Sequence, residues 1–234
     1  MVRSKAKIQS IKKACKITDK TFKYILPHLA DGVTEKEIVK KINKFIRNHS
    51  EGLAFKTIVA FGENSAEVHH QFPTERKLKK GDIIILDFGA KINGFCSDIT
   101  RVLFFEKANR KQKDLYRDVL KAQQMAIDFL NNEIGKGKIK ALDVDKIARD
   151  YLEKKYPTMP HSLGHGIGKK VHSGLRLSPK SKSYLKPGMI FSVEPGIYIK
   201  DFGGVRIEDT VLLTEKGVEI LTKSTKEIIE INND

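Results

Sequence analysis

Apolar residues recur at helical spacing in four stretches of the chain. Over residues 5–30, Ile8, Ile11, Ala14, Cys15, Phe22 and Ile25 fall on one face among lysines, which predicts a helix. Thr34 opens a second helix, with Glu37 three positions on completing a capping box and Ile38, Ile42 and Phe45 forming the stripe. A third helix is expected over about 109–131, through Leu115, Val119, Leu120 and Ala126. A fourth is expected over about 141–155, through Val144, Ile147 and Leu152. These stripes are packing faces. The helical period disappears over 82–105, where β-branched and aromatic residues surround Asn93-Gly94, and again over 189–222. No Pro/Ser-rich linker separates these regions. The expectation is one α+β domain over 1–234, with no separate N-terminal accessory domain.

Asn93-Gly94 signals a two-residue hairpin turn. A turn there sets Ile92 opposite Phe95 and Gly89 opposite Asp98. Asp87 lies two positions from Gly89, so it shares the face of Asp98 as a diagonal neighbour. The glycine opposite Asp98 is expected to leave open space beside that carboxylate. The second strand region repeats the pattern. Gly81…Asp87-Phe88-Gly89 lines up with Gly188…Glu194-Pro195-Gly196, and Gly94…Asp98-Ile99-Thr100 with Gly204…Glu208-Asp209-Thr210, three extra residues lying between. The halves read as a duplicated unit related by a pseudo-two-fold. Transferring the first register puts Gly196 opposite Glu208 and leaves the loop Asp201-Phe202-Gly203. Glu194 then shares the face of Glu208. A four-residue loop would reverse that parity.

Four carboxylates converging on apolar strands are costly unless positive charge holds them. Arg101 and Arg206 are candidates, but a pair of divalent cations ~3.5–4 Å apart, bridged by carboxylates, answers the pattern better. Histidines cluster at His69-His70 and at His161, His165 and His172. The segment His161-Ser-Leu-Gly-His165-Gly-Ile-Gly is too glycine-rich for a helix and reads as a loop that lets an imidazole approach a site closely. Gly164-x-Gly166-x-Gly168 has no strand before it and no helix after it, so it is not a dinucleotide fingerprint. HExxH, P-loop and GxSxG motifs are absent. Cys96 is a poor nucleophile candidate, because Asp98 nearby disfavours its thiolate.

Composition narrows the class. Hydrophobic residues make up 40% and charged residues 31% of the 234, which excludes both a disordered chain and a membrane bundle. The run Ile83–Leu86 is far too short to span a bilayer, and lysines interrupt any N-terminal signal segment. Two cysteines are too few for a disulfide framework, so a reducing, cytoplasmic setting is expected. The net charge of +15 raises association with nucleic acid or the ribosome, but the lysine pairs are scattered, as on a solvated surface.

Five ordered motifs carry a family resemblance. They are His-His-x-x-Pro (69–73), Asp-x-Gly…Ser-Asp-x-Thr-Arg (87–101), His-x-x-Gly-His-Gly-Ile-Gly…His (161–172), Glu-Pro-Gly-x-Tyr (194–198) and Gly-Val-Arg-Ile-Glu-Asp (204–209). Together they resemble the pita-bread metallopeptidases, which include methionine aminopeptidase, aminopeptidase P and prolidase. The resemblance implies a pita-bread fold of two duplicated halves, with antiparallel strands inside and helices outside. It implies two divalent metal ions, Mn²⁺ first, with Co²⁺, Zn²⁺ or Fe²⁺ as alternatives. Their ligands would be Asp87, Asp98, His165, Glu194 and Glu208, with Asp98 and Glu208 bridging. It further implies Glu194 as general base for a metal-bridged hydroxide, and His70 and His172 as hydrogen-bonding partners of the substrate carbonyl and oxyanion. His161, Tyr198 and Arg206 would orient substrate and ligand carboxylates. The implied substrates are peptides cleaved at the N-terminal bond. The doubled histidine, His161 and Arg-Ile-Glu-Asp are most similar to the Xaa-Pro branch, with initiator-methionine removal as the alternative. A homodimer stays open, as does a non-catalytic module binding RNA or the ribosome.

Overall fold

The computed structural model describes residues 5–232. Four long helices appear where the apolar stripes place them. Helix α1 (Lys5–Ile25) stops earlier than expected, and Leu26–His28 close in a 3₁₀ turn. Pro27 is the reason, since it has no N–H to donate to the carbonyl four residues back and its ring crowds that carbonyl. Helix α2 (Glu35–His49) carries the expected capping box: Glu37 N–H donates to Thr34 Oγ1 at 3.2 Å, and Thr34 N–H to Glu37 Oε2 at 2.8 Å. Helix α3 (Arg110–Glu133) has a second box built by Asn109 and Gln112, and α4 (Ala141–Leu152) follows.

The strands are β1 (Ile58–Phe61), β2 (Ile83–Phe88), β3 (Lys91–Ile92), β4 (Phe95–Cys96), β5 (Ile99–Phe105), β6 (Ile139–Lys140), β7 (Gly164–His165) and β8 (Arg176–Leu177) in the first part of the chain. They continue with β9 (Tyr184–Leu185), β10 (Ile190–Val193), β11 (Gly196–Ile199), β12 (Gly203–Arg206), β13 (Glu208–Thr214), β14 (Gly217–Ile220) and β15 (Glu230–Ile231). A central sheet runs β1-β2-β5-β13-β10, with β14 on β13 and β15 parallel to β5. The two halves meet at the β5–β13 seam, where Glu208 faces Thr100. The sheet has helices on both faces. Ile83 and Ile85 pack with residues of α3 and α4, whereas Ile84 and Leu86 pack with residues of α1 and α2. That is why Ile83–Leu86 is apolar without alternation: a strand covered on both faces has no polar side.

The first hairpin has the expected register. Ile92 faces Phe95, and the same pairing continues outward through Phe88 opposite Ile99 and Asp87 opposite Thr100. The second differs by two residues. Gly196 faces Arg206 rather than Glu208, the loop is Lys200-Asp201-Phe202, and Val193 faces Asp209. Asp201 and Gly203, both at positive φ, set the turn one residue early. A shift of the pairing by two keeps every side chain on its face, so Glu194 and Glu208 still converge. The space expected beside Asp98 is filled. A Cβ on Gly89 would collide with the Ser97 carbonyl and would lie 2.8 Å from Ala54 Cβ and 2.8 Å from Phe55 Cε1. The glycine permits close packing there rather than opening a void.

Candidate active site

Asp87 is the penultimate residue of β2, Asp98 precedes β5, Glu194 follows β10 and Glu208 begins β13, so the central strands bring all four carboxylates together. His165 arrives from the glycine-rich segment. A Cβ at Gly164 would strike the Ser192 carbonyl, so glycine alone lets β7 lie this close to β10. His165 N–H donates to Ser192 Oγ at 3.0 Å, and Ser192 Oγ donates to Glu194 Oε1 at 2.9 Å. The His165 Nδ1 sits 3.0 Å from the Val171 carbonyl, which turns Nε2 toward Glu194 Oε1 at 3.1 Å and Asp98 Oδ2 at 3.6 Å. Ligand atoms of Asp98, His165 and Glu208 all lie within 4.8 Å of one another.

Arg206 is buried behind the acids. Its Nη2 donates to Asp87 Oδ2 at 2.6 Å, and its Nη1 to Tyr198 OH at 2.7 Å and to the Val68 carbonyl at 3.2 Å. Tyr198 OH lies 3.0 Å from His161 Nε2, and His161 Nδ1 lies 2.9 Å from the Ser162 carbonyl. These contacts form one directed chain: Arg206 donates to Tyr198, Tyr198 to His161 and His161 to Ser162. Arg101, the other expected counter-charge, instead pairs with Asp209 at 2.7 Å and donates to the Glu208 carbonyl, bracing the seam.

Burial sets the electrostatics. It pushes the Asp98 carboxyl well above the usual carboxylate range, and the charge of Glu208 adds to this. Burial does the same to Glu208, with Glu194 adding to it. Burial also raises Asp87, against the pull of Arg206. Glu194 moves the other way: burial opposes its charge, but the hydrogen bond and charge of His165 hold it low. Burial lowers His161 and His172, so both imidazoles favour their neutral forms.

Three carboxylate oxygens, Asp87 Oδ1, Asp98 Oδ1 and Glu208 Oε1, are buried with no hydrogen-bond partner. Unpaired buried anionic oxygens are strongly disfavoured. An oxygen-rich set with one imidazole is the donor chemistry of divalent first-row cations, and it fits them here.

The acids form the floor of a cavity of about 280 Å³, with His161, His165, His172 and Arg206 also on its wall. Tyr198 stands behind Arg206. His70 is not on the cavity wall: its Nε2 lies 2.9 Å from Glu35 Oε2 and its Nδ1 2.6 Å from Glu67 Oε2. His69 takes the wall position instead. In this geometry both ring nitrogens of His70, expected to serve a substrate carbonyl, face carboxylates instead of the cavity, one buried (Glu35) and one solvent-exposed (Glu67). Sequence reasoning also missed Arg176 and Lys56. Arg176 faces His165 across the β7–β8 pair and makes no hydrogen bond or ion pair among the described residues. Nothing in the chain's periodicity announces so short a pairing.

Residues 9–215 match the metallopeptidase family M24, and the chain belongs to that family. It is 39% identical over 233 residues to an Xaa-Pro dipeptidase of Pyrococcus furiosus, covering 98% of this chain and 65% of that protein. Among solved structures, a dipeptidase from Pyrococcus horikoshii OT3 superposes with a TM-score of 0.92 at 41% identity, over 98% of this chain and 64% of that one. An X-Pro aminopeptidase from Thermotoga maritima MSB8 superposes with a TM-score of 0.91 at 38% identity, over 99% and 65%. The chain thus spans slightly less than two thirds of the length of these relatives. The fold is the pita-bread fold that the motifs resemble. No helix among the described residues is long and apolar enough to cross a membrane.

Proposed function

We propose that this chain is a metal-dependent peptidase that hydrolyses the first peptide bond of short peptides with proline in the second position. The observation that carries this reading is the converging set Asp87, Asp98, His165, Glu194 and Glu208, with three of its buried oxygens unpaired. These five residues would hold two divalent cations, with Mn²⁺ the first choice for so oxygen-rich a set and Co²⁺, Zn²⁺ or Fe²⁺ as alternatives. When bound, such a pair supplies a water made acidic enough to attack near neutral pH and polarises the scissile carbonyl.

The side chains do the rest. Glu194, kept ionised and aimed by the Ser192 hydroxyl, accepts a proton at its carboxylate. His172, neutral and on the cavity wall, can donate a hydrogen bond to the carbonyl oxygen as charge gathers there. Arg206 fixes Asp87 and, through Tyr198, His161. Arg176, opposite His165 and unpartnered, offers a guanidinium to the terminal carboxylate of a dipeptide. The Xaa-Pro dipeptidase and X-Pro aminopeptidase names of the relatives support proline in the second position.

Rates on Ala-Pro, Ala-Pro-Gly and Met-Ala in Mn²⁺, Co²⁺, Zn²⁺ or Fe²⁺ test the reading. The expected order is Ala-Pro fastest. Fastest release of methionine would favour initiator-methionine removal, and no cleavage with any of the four metals would sink the proposal. The complete ligand set argues against a purely RNA-binding module.

The two histidines separate binding from chemistry. His165→Ala is expected to lose bound metal, whereas His172→Ala keeps it and turns over about 10²-fold more slowly. Metal analysis beside steady-state rates checks this, and equal metal loss in both variants would refute the assignment.

A further inference from the structure

Glu35, the first residue of α2, is 0% exposed, yet it does not face the cavity. Its carboxylate accepts five hydrogen bonds. Oε1 takes Phe61 N–H at 2.9 Å and Asn64 Nδ2 at 2.9 Å. Oε2 takes His70 Nε2 at 2.9 Å, Thr74 N–H at 2.9 Å and Thr74 Oγ1 at 2.8 Å. These donors stand at the end of β1, in the turn after it, and at positions 70 and 74. One carboxylate therefore ties both ends of the segment 61–74 to the start of a helix, where the helix dipole also favours negative charge.

That segment is part of the cavity. Val68, His69 and Gln71 line it, and the Val68 carbonyl receives Arg206 Nη1 at 3.2 Å. Ser65 Oγ accepts Gly204 N–H at 2.8 Å, joining the same segment to β12. No regular strand or helix holds residues 67–74, so their placement depends on such contacts. The electrostatics agree: burial opposes the charge on Glu35, but its hydrogen bonds, that of His70 first, bring its carboxyl down to about 2. The hydrogen bond to Glu35 in turn raises His70.

We propose that Glu35 is a positioning residue: through His70 and Thr74 it holds segment 61–74 as the fixed wall of the peptide site, and substrate affinity rather than metal loading depends on it. A carboxylate is required because all five partners donate. Glutamine would turn an NH₂ toward one set of donors, and aspartate would fall a methylene short. The kinetic part of this proposal rests on the peptidase reading above; the structural part does not.

The test uses Glu35→Gln and His70→Gln in the full chain. Amide hydrogen exchange is read over 61–74, metal content is measured, and KM and kcat are determined on the best peptide. In each variant, exchange over 61–74 is expected to quicken at least ~10-fold with metal content unchanged, and KM to rise about 10-fold while kcat stays within about threefold. If Glu35→Gln does not fold, His70→Gln decides. Wild-type exchange and KM in a folded variant would overturn the proposal. So would a fall in kcat alone in His70→Gln with exchange unchanged, because it would mean that His70 acts on the reacting carbonyl. Should the wild-type chain cleave no peptide, the peptidase reading fails, while the exchange measurement still decides whether Glu35 tethers the wall.

Discussion

Asp98→Asn is expected to leave the chain folded, strip it of bound metal and lower turnover about 10³-fold or more. The magnitude follows from losing ~4 kcal/mol of charge stabilisation at ~1.4 kcal/mol per decade. The substitution keeps the shape of the side chain, so the hairpin that carries it should survive. A second consequence has the opposite sign. Burial and Glu208 hold the Asp98 carboxyl above its unfolded value, so the metal-free folded chain binds more protons than the unfolded one. Stability at that site is therefore lost as pH rises above the unfolded carboxylate range and regained as pH falls through the raised value. Without metal, Asp98→Asn should melt higher than wild type near pH 7.5, and less so at mildly acidic pH. With Mn²⁺ added, only the wild type should gain stability. Metal analysis and melting curves with and without chelator check both halves. A variant that keeps its metal would refute the ligand role.

Arg206→Met is expected to destabilise the metal-free chain by ~3–5 kcal/mol, the usual cost of removing one partner from a buried pair. Arg206 is 3% exposed, and its guanidinium serves Asp87, Tyr198, the Val68 carbonyl and Thr100 at once. Its removal strands the Asp87 carboxylate and breaks the donor chain to His161. Arg206→Lys should recover little, because one ammonium cannot span partners that the planar fork reaches together. Denaturant midpoints in the presence of chelator give the stability change. A loss below ~1 kcal/mol would mean that Asp87 relies on other contacts.

Much of this site was legible in the chain. Asn93-Gly94 fixes a turn, the turn fixes a register, and a period of two puts Asp87 and Asp98 on one face. In the second half the period of two still holds the acids on one face despite a different register. The pairing there is shifted by two residues, yet Glu194 and Glu208 converge, because a shift of two leaves the face unchanged. The glycines around His165 gave a correct signal of close approach. Gly89 shows the limit: the absence of a side chain suggests space, but the fold fills it with the Ser97 carbonyl, Ala54 and Phe55.

The histidine pair shows where the chain alone falls short. His69 and His70 are adjacent and chemically identical, and nothing local distinguishes the one that meets the cavity. The choice is made by Glu35, far away in sequence and brought near only when α2 packs beside β1. Arg176 becomes notable for a similar reason, since only the short β7–β8 pairing sets it across from His165. The sequence by itself determined the helices, the duplicated strand units and the convergence of four carboxylates, because these follow from periodicity and turn chemistry over a few residues; His165 joined them as a candidate ligand only through the resemblance of its motif to the family. Tertiary structure alone decided which histidine lines the site, which arginine faces Asp87 and which carboxylate oxygens are left without partners. Those outcomes depend on distances between segments that no local pattern encodes.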